Sequence, residues 1–423
     1  MKPLTAWPAM LVASSLAMAG SVSFAQQPGP APATRPVSSP WDWQTASPES
    51  QGLSAAKLAA LQKVMAAKKT RALLVIRHDR IVCEWYAPSN SAATKQGTAS
   101  LAKALVGGLS LAVAMTDGQI ALEDPATKFV PHWKEDPRKA KITIRHLGSH
   151  TSGLDDAEAD NLPHDKLTGW KGDFWKQLSP PRDPFTLSRE ATPMIFAPGE
   201  KISYSNPGIG MMTYCVTAAI RDTTNKDVRT LLRERVMRPI GVPDAEWSAG
   251  YGKTYNVDGL PLIGSWGGAS YTPRAAARLG RLVLREGNWE GRQILSKDAL
   301  RQVTTDAGLP GHCGMGWWSN GGGRYPKLPK DAVWGAGAGD QLLLVIPSLD
   351  LIMVRNGQTL APGPDEPPVR QDDVFTRYHD YRARILFEPL VEAVSSPTPK
   401  TSSAGTTSFA PFESSGLTPL EAP

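Results

Sequence analysis

A chain of 423 residues, 41% of them hydrophobic, is long enough to bury a proper core in one large domain or two ordinary ones. The 46 Lys and Arg against 40 Asp and Glu leave a net charge of +6. The basic residues are scattered among acidic ones and form no block, which argues against a nucleic-acid partner. Cys83, Cys215 and Cys313 lie far apart with no metal-ligand spacing, so neither a metal nor another cofactor is implied. In an oxidising compartment one pair could bridge; the plainer reading is three small buried side chains.

Residues 1–25 read as a cleaved signal peptide. Lys2 supplies a positive start, Met10 to Ala19 is apolar but too short to span a bilayer, and Ser23-Phe24-Ala25 offers small residues at the cleavage positions. The expectation is a periplasmic or secreted protein without a stable membrane span, since no other run reads as long enough to cross. Residues 26–45 read as a leader, rich in Pro, Ala and Ser up to Pro40, with Trp41, Asp42 and Trp43 marking where order begins.

From there the pattern alternates between strand and helix. Ser54 to Lys68 is an amphipathic helix. Ala72 to Ile76 and Ile81 to Tyr86 flank a turn at His78-Asp79-Arg80 and read as a hairpin. The stretch Thr98-Ala-Ser-Leu-Ala-Lys-Ala-Leu-Val-Gly-Gly108 opens a helix that is apolar nearly all round, and hence buried. Ile142 to Leu154 reads as a short helix closing on Gly153. Asp155 to Arg189 is long, polar, rich in Trp and Pro, and reads as a structureless cleft wall or lid. Helices follow at Ile209 to Ile220, Lys226 to Met237 and Pro273 to Glu286, and Gly314 to Trp318 reads as a short strand. Gln341 to Ile346 and Asp350 to Arg355 form a second hairpin, Phe375 to Val394 a closing helix, and residues 395–423 a disordered Ser/Thr/Pro tail.

Strands thus lie at both ends of the folded region, residues 46–394, and helices fill the middle, roughly 115–290. The expected fold class is α+β: an antiparallel sheet flanked by helices, with an all-helical region inserted between its halves.

Ser100 and Lys103 stand three apart at the start of the buried helix and so share a face. A serine hydroxyl becomes a nucleophile when a neighbour takes its proton, and an amine kept neutral by burial can do that. Ser54-Ala-Ala-Lys57 has the same spacing, but on an amphipathic helix whose N-cap Ser54 supplies.

Four pieces together resemble one family. Ser100-Leu-Ala-Lys103 is followed by His150-Thr-Ser-Gly-Leu154, by Tyr204-Ser-Asn206 after Pro198-Gly-Glu200, and by the Gly-rich Trp334-Gly-Ala-Gly-Ala-Gly-Asp-Gln341 entering an apolar strand. In this order they resemble the serine beta-lactamase-related hydrolases: class C beta-lactamases, D-alanyl-D-alanine carboxypeptidases and family VIII esterases, over roughly residues 46 to 390. The resemblance implies a beta-lactamase/transpeptidase-like fold and an acyl-enzyme mechanism without cofactor. Ser100 becomes the acylated nucleophile, and Lys103 its proton acceptor or the group that tunes it. Tyr204 becomes a proton shuttle whose phenol needs nearby cations or donors to work below its free pKa. Asn206 orients substrate through its amide, and the oxyanion hole comes from the Ser100 N–H and the strand edge after Gly337, at Ala338. His150 falls outside the family's catalytic set and reads as structural.

The departures bear on substrate. In relatives that bind a substrate carboxylate the Gly-rich motif begins with a cation; here that position is Gly335 or Trp334, depending on register. Asp340 stands where glycine is frequent. The missing cation leans the reading towards small neutral esters or amides, with Trp170, Trp175, Trp266, Trp317 and Trp318 suited to acyl or aryl groups. Arg274 is one residue that could reach in and replace it. Beta-lactamase or carboxypeptidase activity remains the alternative, and a non-catalytic cell-wall or peptide binder the rival from another class. The absence of Gly-x-Ser-x-Gly and His-Glu-x-x-His argues against an α/β hydrolase and a zinc peptidase. The pattern implies no particular oligomeric state.

Overall fold

The computed structural model describes residues 41–159, 162–305, 307, 313–363 and 380–394. Residues 1–25, read as a signal peptide, the Pro-rich stretch up to Pro40, the start of the expected closing helix and the Ser/Thr/Pro tail lie outside them.

Seven strands form the central sheet: β1 (Gln44–Thr45), β2 (Thr70–Arg77), β3 (Arg80–Tyr86), β4 (Trp318–Ser319), β5 (Val333–Gly337), β6 (Gln341–Ile346) and β7 (Leu351–Gly357). Their spatial order is β1-β3-β2-β7-β6-β5-β4. Only β1 and β3 run parallel; every other pair is antiparallel. The two ends of the chain meet in the middle, where Leu351 to Gly357 pairs with Arg77 to Thr70. The sheet therefore closes only after the helical region between β3 and β4 has been laid down, as the chain order suggested. It also includes Gln44–Thr45, just ahead of the boundary expected at residue 46. The β2–β3 hairpin turns on His78 and Asp79, both with positive φ (52° and 58°), the conformation that a two-residue turn demands.

Every residue of β6 is buried, because both faces of the sheet are covered. Leu342, Leu344 and Ile346 point to the side packed by helix Ala55–Ala67, through Leu58, Leu61 and Met65, and by the C-terminal segment, through Leu386, Phe387 and Leu390. Leu343 and Val345 face helix Pro273–Leu284, which comes so close that a Cβ on Gly280 would lie 2.8 Å from Leu343 Cδ1. A two-sided sheet reads in sequence as an apolar run rather than an alternation, which is how Gln341 to Ile346 appeared.

Three expectations need correction. The Ile142–Leu154 helix is only Ile144–Gly148, and the chain then turns through His150 (φ 61°) and Gly153 (φ 81°), conformations that end a right-handed helix. Asp155 to Arg189 is not structureless: it contains helix Gly169–Lys176 and a capped turn, Pro184–Thr186, whose N-terminal N–H groups are accepted by Asp183. The predicted Gly314–Trp318 strand is confined to Trp318–Ser319, since Gly316 (φ 76°) turns the chain ahead of it.

The helical run Ala99–Thr116 covers 18 residues at a mean hydropathy of 1.5. It is long and apolar enough by length and composition to cross a bilayer, which corrects the reading that no run outside the leader qualifies. In this fold 78% of it is buried, and it serves as a core helix.

Candidate active site

The turn that carries Ser100 begins at Ala99, whose φ of 44° is uncommon for a residue with a side chain. A tight turn at Ala99–Leu101 leads into a widened π-helical stretch at Lys103–Gly108, and then into regular helix at Leu109–Thr116. Such wide turns inside helices recur at functional sites. This one turns Ser100 and Lys103 to the same place: Lys103 Nζ lies 3.0 Å from Ser100 Oγ.

The lysine amine is enclosed. Besides Ser100 it meets Asn206 Oδ1 at 2.7 Å and the Trp266 carbonyl at 2.7 Å, and Lys103 is only 3% exposed. Burial lowers its pKa to about 7, against the pull of Asp156 and Glu158, whose charges act to raise it. Asn206 Oδ1 and the Trp266 carbonyl are acceptors only. A neutral Lys103 therefore spends its two N–H bonds on them and turns its lone pair towards Ser100.

Tyr204 arrives from the segment before helix Asn206–Ile220, which Ser205 caps by accepting the Gly208 N–H at 2.9 Å. Its hydroxyl donates to Ser100 Oγ at 2.8 Å. Burial, and then the charges of Asp156 and Glu158, raise its pKa well above the free value despite the bond to Ser100. The phenol keeps its proton and is poised to donate it, rather than working below its free pKa as the resemblance implied.

His150 holds Tyr204 from both sides. Its carbonyl accepts the Ser203 N–H at 2.8 Å, its Nδ1 accepts the Ser205 N–H at 3.2 Å, and its ring lies 4.6 Å from that of Tyr204. Accepting at Nδ1 requires the neutral ring, and burial beside Lys103 drives the imidazole pKa down to about 3. It is a structural histidine, as the sequence reading had it.

Strand β5 lies flush against the turn that carries Ser100. A Cβ on Gly337 would sit 2.0 Å from the Thr98 carbonyl oxygen and 2.9 Å from the Ser100 nitrogen; one on Gly335 would strike Leu101 Cδ1 at 2.4 Å. Gly337 is thus required by close approach to backbone, whereas a side chain at Gly335 would have to displace the end of Leu101. The same contact brings the end of the strand, at Gly337, alongside the Ser100 backbone N–H. Ser54, by contrast, only caps its helix, accepting the Lys57 N–H at 3.3 Å.

Three sequence expectations change. Asn206 donates its Nδ2 to Asp156 Oδ1 at 2.9 Å and to Glu158 Oε1 at 3.3 Å, so its amide is committed to fixing Lys103 rather than left open for substrate. Arg274 is gripped by both oxygens of Glu84, at 2.8 and 2.7 Å, and does not supply the missing cation. Trp266 and Trp317 are core residues with no open face, whereas Trp170 and Trp175 are half-buried. The plainer reading of the cysteines stands: among the described residues Cys83, Cys215 and Cys313 form no disulfide, with Cys215 and Cys313 buried and Cys83 half-buried.

Asp156, Glu158 and the Trp266 carbonyl escaped the sequence reading. The acidic residues follow directly on His150–Leu154, a signal that was available; a backbone carbonyl has no signature. Asp156 Oδ1 accepts the Asn206 N–H at 2.8 Å as well as its side chain, which leaves Asn206 Oδ1 facing Lys103.

The sequence profile described as Beta-lactamase matches residues 59–378, and the chain belongs to that family. Its members are serine hydrolases of the beta-lactamase and penicillin-binding-protein fold that act on amides and esters. Among curated relatives, the 6-aminohexanoate-dimer hydrolase of Paenarthrobacter ureafaciens is 24% identical over 71% of this chain and 76% of its own length. D-alanyl-D-alanine-carboxypeptidase/endopeptidase AmpH of Escherichia coli (strain K12) is 27% identical, but the match spans only 36% of each protein. A solved family VIII carboxylesterase shares the fold at a TM-score of 0.52 and 15% identity, over 79% of this chain and 99% of its own.

The electrostatics predict a pH profile. Lys103 is neutral, and able to take the Ser100 proton, above its depressed pKa of about 7. Phosphonylation of Ser100 by a fluorophosphonate should therefore quicken as pH rises through that value and fade below it. Asp156→Asn removes a charge that raises the Lys103 pKa, so the midpoint should move to lower pH. A midpoint that stays put or rises would contradict this assignment of charges.

Proposed function

We propose that the protein is an exported serine hydrolase that cleaves small neutral esters or amides through an acyl-enzyme on Ser100. The observation that carries the reading is the shared Ser100 oxygen, 3.0 Å from the Lys103 amine and 2.8 Å from the Tyr204 hydroxyl. Export rests on the signal-like residues 1–25.

In the proposed reaction, Ser100 Oγ attacks the substrate carbonyl carbon as its proton passes to Lys103 Nζ. The Ser100 and Ala338 N–H groups receive the oxyanion, the largest single contribution in such sites. As the carbonyl re-forms, the bond to the leaving oxygen or nitrogen breaks and Tyr204 supplies that atom with a proton. The Lys103 ammonium, 4.7 Å from the Tyr204 ring centroid, restores the phenol's proton. Water then enters where the leaving group departed. It loses a proton to the recovered base and attacks the acyl carbon, and Ser100 is released protonated.

Substrate class follows from the strand edge. Gly335 is packed against Leu101, and the Trp334 ring packs 5.6 Å from that of Phe387, so neither offers a cation. A substrate carboxylate placed there would lose water without gaining a charged partner, a cost of several kcal/mol.

Intact-mass labelling with a fluorophosphonate tests the assignment directly. The adduct should form on wild type and on Ser54→Ala and vanish in Ser100→Ala; the reverse pattern would end it. Specificity is tested by kcat/KM for p-nitrophenyl butyrate against nitrocefin. The ester is expected to lead by about two decades or more, at about 1.4 kcal/mol per decade. Equal turnover of the two would favour a beta-lactamase instead.

A further inference from the structure

The turn from β5 to β6 carries a buried charge that the reaction itself does not use. Asp340 is 3% exposed and sits at a φ of 51°, next to Gly339 at 78°. Its Oδ1 accepts two N–H groups of Arg382, Nε at 2.7 Å and Nη2 at 2.5 Å, and its Oδ2 accepts the Leu360 N–H at 2.6 Å. Arg382 comes from the C-terminal helical segment and is itself buried.

The turn's carbonyls are held from the same side. Arg355 Nη1 donates to the Gly339 and Asp340 carbonyls at 2.8 and 2.9 Å, and Arg355 Nε is tied to Thr70 Oγ1 on β2 at 3.0 Å. Gln341 Nε2 donates to the Ala338 and Gly339 carbonyls at 3.3 and 3.1 Å.

Burying three charged groups is a poor route to stability, since apolar residues of similar volume would serve as well. What an arginine fork on a carboxylate gives is a fixed geometry. This turn has use for one. Gly337, at the end of the strand that leads into it, lies against the Ser100 N–H, and Ala338 follows directly; a small displacement of an oxyanion donor there is costly. A left-handed aspartate is also a disfavoured conformation, and its own side-chain bonds hold it there.

We propose that Asp340, gripped by Arg382, is a positioning residue that sets the Gly337–Ala338 edge at oxyanion distance from Ser100. The inference rests on the reading of Ser100 as the acylated nucleophile, and it assigns the C-terminal segment a part in catalysis that the family motifs do not mark.

Two variants test it from opposite sides: Asp340→Asn keeps the shape and loses the charge, and Arg382→Lys keeps the charge and loses the fork. Arg281→Gln is the control; it breaks the Arg281–Asp79 ion pair at the opposite end of the sheet. Each protein is assayed with p-nitrophenyl acetate per titrated active site, and with phenylboronic acid, which forms a tetrahedral adduct on serine. For both test variants kcat should fall about tenfold or more and boronate affinity by a similar factor, with KM within about twofold. The control should lose thermal stability and keep both values. If either test variant folds with wild-type kcat and boronate affinity, the pair is structural only and the proposal fails. Should Asp340→Asn not fold, Arg382→Lys decides alone. Persistence of the fluorophosphonate adduct in Ser100→Ala would instead overturn the nucleophile assignment on which the proposal stands.

Discussion

Lys103 brings an amine into a place almost closed to solvent, where each of its bonding directions must be met by the protein. Two are met by obligate acceptors, Asn206 Oδ1 and the Trp266 carbonyl, and the third by Ser100. Much of the site follows from this arrangement. Asn206 can present its oxygen only because Asp156 takes its Nδ2; the Tyr204 phenol stays protonated beside an amine that burial keeps near neutral. His150 must stay uncharged for the same reason, and its Nδ1 is engaged by a backbone N–H that enforces it. The charges are balanced locally, with the carboxylates of Asp156 and Glu158 holding the lysine pKa from falling further.

The second constraint is steric. The Ser100 turn, which starts at a strained Ala99, has to be braced, and the brace is β5, whose Gly337 lies against the turn's backbone where only glycine fits. Because β5 is the penultimate strand of a sheet whose halves come from opposite ends of the chain, the site forms only when the whole domain has closed. Ser100 and Lys103 come from the helical region, Tyr204 and Asn206 from its middle and the Gly337 edge from the C-terminal strands. No single segment carries the chemistry.

The sequence carried those features whose local chemistry is self-contained. Ser100 and Lys103 were legible because three residues on a helix fix their relation whatever surrounds them. The hairpins at His78-Asp79 and Pro347-Ser348 were legible because turn residues punctuate apolar runs. The Ser54 copy of the motif could be set aside because a cap has its own context. What could not be read was what depends on distant packing. Trp266 looked like a cleft wall, yet the fold buries its ring and uses its carbonyl. Arg274 looked available until the sheet brought Glu84 beside it. Asn206 looked ready to bind substrate, and the carboxylate that occupies it lies on a loop whose helices were not foreseen. Asp340 showed only as a departure from glycine, and its partner Arg382 is far along the chain.

The central claim is that Lys103 is neutral at working pH and can serve as the base. It is tested most directly by NMR titration of the protein with its lysines labelled at Cε. One lysine signal, absent in Lys103→Arg, should titrate with a midpoint near 7, while solvent-exposed lysines titrate near 10. A Lys103 signal that titrates with the exposed lysines would mean the amine is charged at working pH, and Ser100 would need another proton acceptor.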